Sequence, residues 1–424
     1  MTTRYLSTNG KAARVDLGRA LFSGPAPDGG LYVPERVSKV DIDELRGPTF
    51  ADTASRVAAL VFGRDLPADV IEQITRDSFP FEVPLVRIED GIYVLELFHG
   101  PTLAFKDIGA RFLARLMQHF TRSRKTPATV LVATSGDTGS AVGHAFHRLP
   151  GFRVFVLFPR GRVSDVQRRL FTTLGGNVLA VSVNGTFDDC QRLVKQAFSD
   201  ERLTHLVSAN SINLGRLLPQ TFYYFHIVPQ WRPGESFGVS IPSGNFGNLT
   251  AGLLAKKMGL PATRFVAATN MNDVVPEYLR TGRFQPRSSV ATLSSAMDVG
   301  DPSNFARILW LYGGSLDALR RDVEGSAHTD DETLEAMRWV HRRTGYILDP
   351  HSAVGYIAAR RARERTGEPF VLLATAHPAK FAETVARAIG EKIELPTRLA
   401  ALNRLEEKML EMNAHYGELY GYLK

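Results

Sequence analysis

From about residue 92 to about residue 400, short runs of apolar residues alternate with stretches whose apolar positions recur at helical spacing. The runs Ile92–Leu97, Thr129–Ala133, Val154–Phe158, Val178–Val183, Phe237–Ile241, Phe265–Ala268 and Phe370–Ala374 have strand length and almost no polar interruption. Between them, Gly109–Met117, Ala141–Phe146 and Leu249–Met258 read as helices. Near-continuous apolar strands separated by amphipathic helices predict an α/β fold, with open, mostly parallel sheet covered on both faces.

The flanks read differently. Residues 1 to 92 form an N-terminal unit with no catalytic grouping. Within it, the turn Asp28–Gly30 feeds the extended Leu31–Pro34, Phe50–Phe62 is helical with Gly63 as its stop, and Val70–Ile74 begins a further helix. The pattern predicts a small α/β lobe over residues 93–220, a larger one over 221–400, and a helical C-terminal tail over 401–424.

Ligands of open parallel sheets bind beyond the carboxyl ends of the strands, so the residues that follow each strand carry the candidate chemistry. Ile92–Leu97 leads into Phe98–Asp107, where Lys106 stands between Phe105 and the start of a helix. Poor solvation there would lower its proton affinity, as a Schiff-base lysine requires; the alternative is a surface lysine paired with Asp107. Thr134–Ser135–Gly136–Asp137–Thr138–Gly139 offers hydroxyls and amides at a helix start, either a carboxylate site or an ordinary N-cap turn. Ser243–Gly244–Asn245–Phe246–Gly247–Asn248, opening another helix, is either a phosphate cradle or a tight strand–helix turn. Ser208, Asn210, Ser211, Asn213 and Arg216, together with Arg160 and Arg162, could hold a second phosphate; caps and surface pairs explain each singly. Thr375 ends a buried strand with an uncharged hydroxyl suited to an unprotonated ring nitrogen, and His377 before Pro378 is either an acid–base group or part of a turn.

Composition narrows the class. A net charge of +7 over 424 residues, without a basic block, argues against nucleic acid; Arg122–Ser123–Arg124–Lys125 and Arg342–Arg343 read as solvated helix ends or loops. No apolar run approaches a membrane span, and the N-terminus lacks a signal-peptide core. Cys190, the only cysteine, falls in a helical pattern as a packed residue, so the expected compartment is a reducing cytoplasm, with no disulfide and no metal centre.

Taken together, Gly30–Pro34, Glu96–Asp107, Thr134–Gly139, Pro242–Gly252, Asn270–Asp273, Ser295–Val299 and Thr375–Pro378 resemble the threonine synthase family of fold-type-II pyridoxal-phosphate (PLP) enzymes. The resemblance implies two lobes with PLP in the cleft between them. It implies that Lys106 carries the cofactor as a Schiff base, that Ser243–Asn248 bind its phosphate, that Thr375 meets the ring nitrogen, and that Asp137 lies near the 3′-oxygen, where relatives carry asparagine. Thr134, Ser135, Gly136 and Thr138 would take the substrate carboxylate, and Arg160, Ser208, Asn210, Ser211 and Asn213 its phosphate. The implied reaction converts O-phospho-L-homoserine and water to L-threonine and phosphate, by β,γ-elimination and addition of water at Cβ, in a monomer or homodimer. A serine/threonine dehydratase and a silent phosphate-binding relative are the rival readings.

Overall fold

The computed structural model describes residues 3–121, 127–232 and 234–424, so the basic group Arg122–Lys125 lies outside the described residues. Strands β1 (Tyr5–Ser7) and β2 (Tyr32–Pro34) pair antiparallel near the N-terminus. The strands β3 (Leu85–Glu89), β4 (Ile92–Glu96), β5 (Ala128–Ala133), β6 (Phe152–Pro159), β7 (Val178–Asn184) and β8 (Leu206–Val207) follow. Then come β9 (Phe237–Pro242), β10 (Ala262–Thr269), β11 (Val323–Ala327), β12 (Phe370–Ala374) and β13 (Met409–Asn413). They form a six-stranded sheet ordered β11-β10-β9-β12-β4-β3 and a five-stranded sheet ordered β13-β7-β6-β5-β8. Every pairing in the two large sheets is parallel except β3 with β4.

The apolar runs are strands for the reason their composition suggests. All residues of β5, β9 and β12 are buried, because helices cover both sheet faces. Helix Lys106–Thr121 starts at the candidate lysine and buries Ile108, Phe112, Leu113, Leu116 and Met117 along one side. Helix Phe50–Phe62 runs between its predicted bounds, opened by a reciprocal Thr49–Asp52 capping box.

Two expectations about organisation change, while the N-terminal unit packs directly onto the rest: Phe79 stacks on Phe112 of the lysine helix at 6.2 Å, and Phe112 meets Phe222 edge-on at 5.2 Å. The lobe boundary at residue 93 fails, because β4 pairs with β12 in the larger sheet. The tail is not a plain helix: β13 docks parallel on β7, with Met412 buried, and only Thr397–Leu402 and Tyr416–Leu423 flank it as helices. The Met409–Asn413 alternation fits an edge strand, but it becomes one only where β7 offers an edge.

Arg307 ties these parts together. Fully buried, it donates to the Tyr32 carbonyl, the Ile212 carbonyl and Asn304 Oδ1, with no carboxylate partner among the described residues, and burial pushes its pKa down to about 9. Replacing it with Met relieves the charge but strands those acceptors. Unpaired buried acceptors cost about 1–3 kcal/mol each, so R307M is expected to lose roughly 2–4 kcal/mol in urea unfolding. A loss below about 0.5 kcal/mol, the range of ordinary surface substitutions, would mean that other donors replace it.

Candidate active site

The carboxyl ends of the two sheets face each other, and their loops touch. From the larger sheet, β4 runs into the turn before Lys106, while β12 runs into Thr375–Phe381. These segments brace one another: Phe105 N–H donates to the Thr375 carbonyl at 2.9 Å, and His377 N–H to the Leu103 carbonyl at 3.0 Å. From the smaller sheet, β5 runs into Thr134–Gly139 and β8 into Ser208–Asn213. Asn245 Nδ2, in the turn after β9, donates to Ser211 Oγ at 2.6 Å and so joins the two rims.

Lys106 sits at this junction with 17 % of its side chain exposed. Its Nζ lies 3.9 Å from Asp137 Oδ2. Asp107 is not its partner: that carboxylate is buried, accepts from Thr102 N–H at 2.7 Å and Thr102 Oγ1 at 2.8 Å, and closes the preceding turn. Desolvation pushes the Lys106 pKa down to about 8; Asp137 opposes the shift, while Lys380 and Arg216 reinforce it. The side chain therefore has the buried, readily deprotonated character of a Schiff-base lysine.

The turn after β9 has the features of an anion cradle. Gly244 passes so close to the Ala296–Met297 backbone that a Cβ would stand 2.7 Å from Met297 Cα. Phe246 takes a left-handed conformation at φ 59°, and helix Gly247–Met258 follows with no side-chain cap. None of the main-chain amides from Gly244 to Asn248 donates to an acceptor among the described residues. Asn248 Oδ1 accepts from both Tyr223 and Tyr224 hydroxyls at 2.7 Å, which fixes its amide; the buried Nδ2 has no partner among the described residues. An unpaired buried donor costs about 1–3 kcal/mol, and a phosphate oxygen would relieve that cost. Ser243 departs from the expectation: its hydroxyl donates to the Ile241 carbonyl at 2.8 Å and its N–H to the Ala268 carbonyl. It shapes the turn and has no donor left.

The other candidates divide in the same way. Thr134 Oγ1 accepts from Gly136 and Gly139 amides at 2.9 and 2.8 Å, so Thr134 caps its own loop. Gly136, at φ 142°, gives the bend that a side chain would resist. Ser135 is exposed and Thr138 half-buried, and neither hydroxyl has a hydrogen-bond partner among the described residues. Asn213 is spent: Nδ2 donates to the Leu21 and Ser208 carbonyls and Oδ1 accepts from Gly215, so no donor remains for an anion. Ser208 accepts weakly from Asn210 N–H at 3.4 Å. Arg160 is exposed and paired with Glu411 of β13 at 3.0 Å, away from the Ser208–Asn213 loop's contacts. Arg216 is the buried cation of that loop; it donates to the Ala209 carbonyl at 3.0 Å, and its Nε is unpartnered. Thr375 stands at the end of β12, 6 % exposed, with no hydrogen bond to its hydroxyl among the described residues. His377 accepts from Ala379 N–H and is pushed down to about 4 by burial, Arg398 and His99, which makes it a neutral cap.

Comparison with known proteins decides the family. The profile described as "Pyridoxal-phosphate dependent enzyme" matches residues 81–376, "Threonine synthase N terminus" residues 4–79, and "Threonine synthase, C-terminal" residues 352–420. Threonine synthase of Escherichia coli K12 is 45 % identical over 396 residues, covering 91 % of each chain. The chain belongs to the threonine synthase family. Its relative from Serratia marcescens is 43 % identical over 419 residues, covering 97 % of this chain and 96 % of that one. Among solved structures, a PLP-bound threonine synthase from Brucella melitensis superposes with a TM-score of 0.95 at 37 % identity, covering 100 % of this chain and 99 % of that one. The Escherichia coli threonine synthase structure gives 0.91 at 41 %, covering 99 % of each. The fold-type-II expectation therefore holds, and the C-terminal profile brings the tail within the family pattern.

Two residues of this threonine synthase fold escaped the sequence reading. Lys380 is buried, 2.5 Å from Asp137 Oδ1, and donates to the Thr102 carbonyl at 2.9 Å. Gln167 Nε2 donates to the same Asp137 oxygen at 2.9 Å. The setting Ala379–Lys380–Phe381, just past Thr375–Pro378, resembles that of Lys106 and could have flagged the first. Nothing local flags Gln167. Because the Gly244 Cβ would strike backbone rather than a flexible side chain, G244A is expected to weaken PLP retention by at least about tenfold, equivalent to 1.4 kcal/mol. Equilibrium dialysis measures this; unchanged retention would remove the cradle from the phosphate site.

Proposed function

We propose that the chain is a threonine synthase converting O-phospho-L-homoserine and water to L-threonine and phosphate, with PLP held at the junction of the two sheets. One observation carries the reading: a largely desolvated, weakly basic Lys106 faces the same junction as an uncapped glycine turn with an orphaned Asn248 donor. The amides of Gly244–Asn248 and Asn248 Nδ2 would hold the cofactor phosphate. The Thr375 hydroxyl, which carries no charge, would meet the ring nitrogen without enforcing its protonation. When bound, PLP supplies an aldehyde for covalent attachment and a conjugated ring that spreads negative charge from the substrate Cα.

The chain's own residues do the rest. Lys106 would hold the cofactor through its neutral amine and would take the proton from the substrate Cα; its lowered proton affinity suits both roles near neutral pH. Asp137, charged and 3.9 Å from the amine, would orient the lysine and meet the cofactor's 3′-oxygen. Ser135, Thr138 and the amides of Asp137 and Thr138 suit the substrate carboxylate, while Thr134, which takes the Gly136 amide, keeps that loop in shape. For the substrate phosphate we favour Arg216 with Ser208, Asn210 and Ser211, because Arg216 is buried, cationic and short of acceptors, whereas the Arg160 guanidinium already has Glu411. A phosphate retained there would keep its charge beside the site and help aim the water that adds at Cβ. Closure of one sheet's rim on the other would exclude water until that step.

No helix among the described residues is long and apolar enough to cross a membrane. Cys190 is buried and its thiol is pushed up to about 12 by burial and Asp189, which suits a reducing cytoplasm. The enzyme would act there as a monomer or homodimer.

K106A is expected to lose the visible absorbance of bound PLP and all phosphate release from O-phosphohomoserine; a coloured, active variant would end the reading. R216M should raise KM for O-phosphohomoserine by about a hundredfold, some 2.7 kcal/mol, while R160A changes it less than about twofold. The reverse pattern would restore Arg160 to the phosphate site.

A further inference from the structure

Asp137 is shared. Its Oδ2 faces Lys106 at 3.9 Å, while Oδ1 takes Lys380 at 2.5 Å and Gln167 at 2.9 Å. Lys380 Nζ is completely enclosed, and its second contact is the Thr102 carbonyl, a neutral acceptor. Three ionisable groups from three segments thus stand in a row: Lys106 after β4, Asp137 after β5, Lys380 after β12. We propose that Lys380 is a positioning residue that acts through Asp137, holding the carboxylate on its own side and so setting how readily Lys106 gives up its proton.

The groups around the row fix the direction. Lys106 is faced by Asp137 from helix Asp137–Phe146, by Lys380 from the turn Pro378–Phe381, and by Arg216 from helix Leu214–Leu217. Asp107, beside Lys106 in sequence, is turned to Thr102. His144, on the Asp137 helix, is pushed down to about 4 by burial and stays neutral. Lys106 is therefore left with half of one carboxylate and two cations. Asp137 itself is held well below the ordinary carboxylate range, chiefly by Lys380 and then Lys106, against the effect of burial. Without Lys380 the anion would serve Lys106 alone, and Lys106 would keep its proton to higher pH. Without Asp137, Lys106 would face Lys380 and Arg216 unshielded and lose its proton at lower pH. A merely structural lysine would not produce opposite shifts from the two substitutions.

The inference rests on Lys106 being the cofactor-attaching amine, but its test does not use turnover. The full-length chain, freed of cofactor, is labelled with formaldehyde and cyanoborohydride across pH 6–11, and Lys106 modification is read by mass spectrometry against exposed Lys408. Wild-type Lys106 should reach half-maximal labelling near its lowered pKa of about 8. K380M should move that midpoint up by at least about one pH unit, a tenfold gain in proton affinity. D137N should move it down. Should K380M not fold, K380Q, which can still donate to Asp137 and Thr102 without the charge, is expected to give the same upward shift. K380R, which keeps the charge, should restore the wild-type midpoint. An unmoved or lowered midpoint in the folded neutral variants would overturn the proposal, as would an upward shift in D137N. Failure of the reading above is separate, since it would appear as PLP absorbance surviving in K106A.

Discussion

A buried carboxylate between two lysines, Asp137 between Lys106 and Lys380, is the constraint on which the arrangement turns. Asp137 belongs to the smaller sheet, whereas both lysines follow strands of the larger one. A charge removed from water needs partners close at hand, and separating them would leave each uncompensated. The cluster therefore fixes how near the two rims come. It also leaves the site rich in positive charge, with Arg216 adding to it, which suits a cofactor and a substrate that both carry phosphate.

Around this cluster the polar residues divide into those bonded within the loops and those that are not. Thr134 and His377 accept loop amides, while Asn213 and Ser243 donate to loop carbonyls. Gly244–Asn248 amides, Asn248 Nδ2, Arg216 Nε and the Ser135 and Thr138 hydroxyls have no partner among the described residues. The first group makes the second useful, because a donor already fixed in direction need not reorganise when charge develops opposite it. The pair Tyr223 and Tyr224, both bonded to Asn248 Oδ1, illustrates the relation most directly.

The polypeptide's two ends serve this geometry from outside. The N-terminal unit packs its aromatic residues onto the helix that begins at Lys106 and, through Arg307, holds the carbonyl of Ile212 in the loop facing the glycine turn. The C-terminal strand widens the smaller sheet and takes Arg160 in an ion pair, which keeps that guanidinium occupied at the rim. Loops from two sheets gain a common reference frame in this way.

Much of this was legible in the chain alone, for a local reason. Strands buried on both faces must be almost wholly apolar, and a backbone that turns sharply into a helix must carry glycine, so β5, β9, β12 and the turn at Gly244 announce themselves within a few residues. Lys106 stood out because Phe105 precedes it and a helix begins at it, but that pattern alone left a surface pair with Asp107 open, and the cofactor role came from the family resemblance. What a residue does with its polar atoms was not local: whether Ser243 or Asn213 keeps a donor free depends on carbonyls supplied by other segments. The sheet to which β4 belongs, the strand formed by Met409–Asn413, the capture of Arg160 by Glu411 and the meeting of Lys380 with Asp137 join segments tens to hundreds of positions apart. Local composition was enough for the elements, the turns and the singling out of Lys106; which charges share a partner emerged only on folding, because that is settled by proximity in space.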